Sequence, residues 1–154
     1  NNERKMTKNI VDAYRKAVKE YEKDSFHDVI SFCENDIKCN EDNSLKKNVL
    51  MFWSYKKIAT FYEKGKKYRQ AYEFWQKAFV FAKKYETKIK IGHRLLELIN
   101  KMRLPMAEKA VEIIKITGYM QKEYELKGNK ESVLRISKLQ DAAEKLLKKS
   151  GTLH

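Results

Sequence analysis

Two apolar helical stripes in this chain end on the same triplet, Tyr21-Glu22-Lys23 and Tyr62-Glu63-Lys64, and this repetition constrains the fold most. The first copy runs Tyr14, Ala17, Tyr21, turns, and resumes at Phe26, Val29, Cys33. The second runs Tyr55, Ile58, Tyr62, turns, and resumes at Tyr68, Ala71, Trp75, Ala78, after an insertion around Cys39 to Ser44. Steps of three and four residues put each set on one side of an α-helix. A helical hairpin that recurs buries its apolar side against its neighbours, which points to an α-solenoid. The usual work of such a stack is to hold another macromolecule.

Composition supports an all-α chain. Among 154 residues there are five glycines and one proline, too few for long loops. Aromatic residues make up 12%, and large rings fill the space between stacked helices. No run of some 18 apolar residues exists, so no membrane span is expected. The polar start from Asn1 to Asn9 has no apolar signal core. It also has no initiator Met, which fits a fragment of a longer protein or a processed product. Cys33 and Cys39 make no disulfide framework, so an intracellular setting, cytoplasmic or nuclear, is expected. His27, Cys33 and Cys39 are spaced unlike any zinc pattern, and neither a metal nor a cofactor is expected. The net charge of +13 is spread along the chain rather than gathered in a tail. Such a surface attracts acidic peptides, nucleic acid or anionic membrane; its plainer reading is lysine on solvated helix faces.

Caps and breakers divide the chain into seven to eight helices. Thr7 caps a helix over 7–23, and Ser25 with Asp28 opens a second. Ser44 caps a third that ends near Gly65, and a fourth covers about 68–85. Thr87 opens a fifth over 88–102, whose apolar residues cover much of its circumference. Pro105 suits the first position of a sixth helix. Gly118 either separates this from a seventh ending at Gly128 or lies within one long helix. The last covers about 130–149 and stops at Ser150-Gly151.

Tyr55, Ile58, Ala59, Tyr62, Tyr68, Ala71, Trp75 and Ala78 resemble a tetratricopeptide repeat, a unit of about 34 residues that pairs two antiparallel helices. Ala59 and Ala71 take the small positions where the helices cross, and Ala78 the small stacking position. The hairpin ending near Asp36 departs from the pattern: its turn is one residue shorter, and Val29 stands where a small residue is usual. A third unit matches at Leu95, Leu98, Ala107, Val111 and Ile114, and a fourth, at Tyr124, Gly128 and Val133, matches weakly. The proline that commonly follows the second helix is absent at Lys83. The resemblance implies one right-handed solenoid of three to four hairpins, with units at about 7–38, 44–85, 87–117 and 118–149. Another helical-hairpin solenoid or a compact helical bundle remains open.

The same resemblance implies a non-catalytic adaptor that binds a peptide or partner protein on the concave face, lined by the first helix of each pair. That face carries Arg15, Lys19 and Glu22 from the first unit and Trp53, Lys56, Thr60 and Glu63 from the second. Arg15, Lys19 and Lys56 form a cationic line beside Trp53, suited to an acidic extended segment. A carboxylate clamp of the kind one subgroup uses is not supported, because Lys19 and Thr60 stand where asparagine is expected. The alternative function is a basic helical-repeat domain binding RNA or DNA, since cations and rings mix in segments such as 64–69 and 83–85. An enzyme is not expected: His27, His93 and His154 have no nucleophile or carboxylate at a motif spacing, and no Gly-rich phosphate loop is present. Ile10, Val11 and Val18 leave an apolar end through which a terminal hairpin could self-associate, while Lys145, Lys148 and Lys149 suit the other end as a polar cover.

Overall fold

The computed structural model describes residue 19 and residues 44–151. Among the described residues there are five helices and no strand: α1 (Ser44–Lys64), α2 (Tyr68–Phe81), α3 (Tyr85–Lys101), α4 (Met106–Leu126) and α5 (Lys130–Lys149). The all-α expectation holds. The helices expected over 7–23 and from Ser25 lie outside the described residues, except for Lys19, which is helical and exposed. Of the seven to eight helices expected, five are therefore seen. The chain divides between Ala82 and Lys83 into two compact units.

The first unit contains the antiparallel pair α1 and α2. Ala59, Ala71 and Ala78, the small residues of the repeat pattern, are all fully buried, and Ile58 and Trp75 are buried with them. Without side chains beyond Cβ, the alanines let the two backbones approach, and the large rings fill the flanks. A ladder of rings links the helices. Tyr62 stacks on Phe74 with centroids 5.7 Å apart, Phe74 lies 6.1 Å from Tyr55, and Tyr55 stacks on Phe81 at 5.7 Å. Lys77 closes one edge of the ladder, its Nζ 4.9 Å from the Phe74 centroid.

The second unit holds α3, α4 and α5, in which α3 packs on α4 and α4 on α5. Buried Ile91, Leu95, Leu98 and Ile99 form one stripe of α3, while Ile89 and Leu96 are only half-buried and Lys90, Arg94 and Glu97 are exposed. The helix thus buries a broad side rather than its whole circumference. Ala110, Ala143 and Leu147 form the centre of the α4–α5 contact, with Ile113, Ile114 and Leu146 packed around them. α4 runs through Gly118 without a break, so one long helix stands where two were allowed for. A lone glycine in a helix weakens it by about 1 kcal/mol, which buried neighbours such as Ile116, Thr117 and Met120 readily offset.

Helix ends differ from expectation by a few residues. α2 stops at Phe81 rather than Tyr85, because Ala82 and Lys84 are extended (ψ 134° and 135°). α3 then starts at Tyr85 without the Thr87 cap, and Pro105 is the residue before the first turn of α4 rather than within it.

Two turns use the same hydrogen-bond pair. After α4, the Gly128 N–H donates to Glu125 O at 3.0 Å and the Asn129 N–H to Tyr124 O at 2.9 Å, with Gly128 at φ +70°. After α1, the Lys66 N–H donates to Glu63 O at 3.0 Å and the Lys67 N–H to Tyr62 O at 2.9 Å. This is the Schellman arrangement, which needs a left-handed residue just past the helix. The first turn places Lys66 there (φ +59°), one residue after Gly65. Lys66→Gly should therefore raise stability by about 0.5–1 kcal/mol. Gly128→Ala should lower it by about 1 kcal/mol, although open space surrounds that Cβ. Urea midpoints read by far-UV circular dichroism check both, and shifts of the same sign for the two variants would refute the argument.

Candidate functional site

Trp53, Lys56, Thr60 and Glu63 fall at steps of three and four residues along α1, which sets them on one side of the helix. All four are half-buried. Lys19 is exposed, and Arg15 lies outside the described residues, as do Ile10, Val11 and Val18 of the proposed self-association surface.

The four described residues are held locally. Lys56 Nζ sits 5.0 Å from the Trp53 ring centroid and 5.9 Å from that of Phe52, and the two rings meet edge-on at 5.9 Å. An ammonium over aromatic faces is attracted by their quadrupoles, by about 0.5–1 kcal/mol at an exposed site. The contact orients the cation without neutralising it. Thr60 Oγ1 donates to Lys56 O at 2.8 Å, so its hydroxyl is bonded to the helix beneath it. Glu63 Oε1 accepts from Trp75 Nε1 at 3.0 Å, which commits that carboxylate to α2. Lys56 is therefore the positive charge of the row with aromatic surface beside it. Phe52 and Trp75 belong to the arrangement but were not read as site residues from sequence. Phe52 was legible in principle, four residues before Lys56 and thus beside it on the helix.

The second unit has a separate polar cluster. The Tyr124 hydroxyl lies 3.5 Å from His93 Nε2, and its ring meets Tyr85 edge-on at 6.2 Å. Burial pushes the Tyr124 phenol above its ordinary pKa, and Tyr85 adds to this, while Arg135 acts in the opposite sense. The phenol is thus held in its neutral, hydrogen-bonding form. Lys127 lies over the Tyr85 ring at 5.5 Å, and Lys88 pairs with Glu123 at 3.7 Å. These contacts fasten α3 to α4. Among the described residues, no group of three His, Cys, Asp or Glu could hold a metal ion, and no helix is long and apolar enough to cross a membrane.

Compared with known proteins, the chain matches no family model, no curated protein and no solved structure.

Proposed function

We propose that this chain is a non-catalytic interaction module, a right-handed solenoid of tetratricopeptide-like hairpins, that binds an acidic peptide or partner protein along α1. The observation that carries the reading is the arrangement on that helix. Buried Ala59, Ala71 and Ala78 close the α1–α2 seam on one side. On another, Lys56 is held against Trp53 and Phe52. A carboxylate can pair with the oriented ammonium while an apolar side chain packs on the adjoining ring, which combines a charge-assisted hydrogen bond with desolvated aromatic contact. The high positive charge of the chain favours encounter with such a partner.

Fluorescence anisotropy of a labelled Asp- and Glu-rich peptide containing one Leu provides the test. Lys56→Glu should weaken binding at least about tenfold, since it replaces a charge-assisted contact by repulsion. Trp53→Ala should also weaken it. Thr60→Ala should bind like the parent, because that hydroxyl already donates within the helix. Equal affinities for parent and Lys56→Glu would remove α1 as the binding surface.

A further inference from the structure

The outer side of α5 carries a line of cations that neither the fold nor the α1 surface uses. Lys138, Lys145 and Lys149 are exposed and separated by seven and four residues. At 3.6 residues per turn these steps return to the same side of the helix within about 20°, and at 1.5 Å per residue the line is about 16 Å long. Among the described residues none of the three makes an ion pair. Lys148 and Arg135 flank the line and are exposed as well; Glu131 and Asp141 are the acids on this side. The opposite side, with Ile136, Ala143 and Leu147, is buried.

We infer that this side of α5 is a binding surface for the phosphate backbone of nucleic acid. Its chemistry is charge without an apolar pocket. Leu134 (65% exposed) is the large apolar side chain nearest the line, and no aromatic ring lies on α5. A protein partner needs a desolvated apolar centre to bind stably, and a membrane surface needs a continuous apolar side on the helix. Neither is present here. A duplex presents about one negative charge per 1.7 Å of its axis, so each of three ammonium groups about 10 Å and 6 Å apart along the helix has a phosphate within reach, and release of their counterions drives association.

The test uses the full chain with labelled 20-nucleotide single-stranded and duplex DNA, by anisotropy between about 50 and 200 mM salt, the interval over which phosphate contacts lose most affinity. The triple variant Lys138→Gln, Lys145→Gln, Lys149→Gln should lose at least about tenfold in affinity at the lower salt. The slope of log affinity against log salt should flatten by about 2–3, the value for three phosphate contacts. A control triple, Lys90→Gln, Lys101→Gln, Lys122→Gln, removes the same charge from exposed positions elsewhere and should keep most of the affinity and slope. Equal losses in the two triples would overturn the assignment in favour of diffuse charge. Absence of binding by the parent would overturn it outright. So would α5-dependent binding to phosphatidylserine vesicles with none to either oligonucleotide.

Discussion

Trp75→Ala should lower the stability of the first unit by about 3–5 kcal/mol, read as a shift in the urea midpoint of Trp53 fluorescence. The chain has two tryptophans, so Trp53 on α1 remains as a single reporter in this variant. Trp75 is 4% exposed, and its indole donates to Glu63 across the α1–α2 seam. Alanine removes both the largest side chain of the seam and the donor that the carboxylate uses. Trp75→Phe separates the two effects: it keeps most of the ring volume and deletes the N–H. Glu63 is half-buried, so water takes over part of the lost bond, and the expected cost is about 1–2 kcal/mol. Glu63→Gln retains an acceptor oxygen and should cost less than Trp75→Phe. A Trp75→Ala midpoint within about 1 kcal/mol of the parent, the range of ordinary single substitutions, would mean the seam does not depend on the ring.

The Trp75–Glu63 bond also changes how the α1 surface reads. Spacing alone puts Glu63 on the same side as Trp53, Lys56 and Thr60, and a helical wheel cannot tell a groove-facing carboxylate from one turned toward the next helix. The contact partner lies twelve residues away, across the turn at 65–67, and its reach depends on how α2 is rotated. The wheel did identify the hairpin itself. Tyr55, Ile58, Tyr62 and Tyr68, Ala71, Trp75, Ala78 mark the two stripes, and the alanines at the seam are buried as their size demands. Local punctuation was less legible. Gly65 signals the first turn, yet the left-handed residue is Lys66, the position that the Lys66–Glu63 and Lys67–Tyr62 hydrogen bonds define. The break at 82–84 contains neither glycine nor proline, so nothing local announces it. Gly118 is the converse, a breaker by composition that the packing of α4 overrides.

Gly92→Ala should destabilise the second unit by about 1–2 kcal/mol, against the usual sign of that exchange in a helix. In an exposed helix interior alanine gains up to about 1 kcal/mol over glycine, because glycine loses more backbone freedom on folding. Gly92 is buried on α3, and a Cβ built there would lie 2.6 Å from Met120 Cγ and 2.8 Å from its Sδ. Met120 is itself fully buried in α4, so either the thioether leaves its rotamer or the two helices separate. Gly92→Val adds two further carbons and should cost more. The argument predicts a reversal of sign in a second background. Met120→Ala alone costs about 2–5 kcal/mol through the cavity it leaves, but it removes the three atoms nearest the new Cβ. In that background Gly92→Ala should become neutral or stabilising by up to about 1 kcal/mol, its ordinary helix preference. Urea unfolding of the four members of this cycle, followed by far-UV circular dichroism, measures the coupling between the two positions. If Gly92→Ala has the same effect with and without the Met120 side chain, the close approach of α3 to α4 does not rest on this glycine. A coupling of the expected sign would make Gly92 to the second unit what Ala59 and Ala71 are to the first: the residue whose missing bulk lets two helices meet.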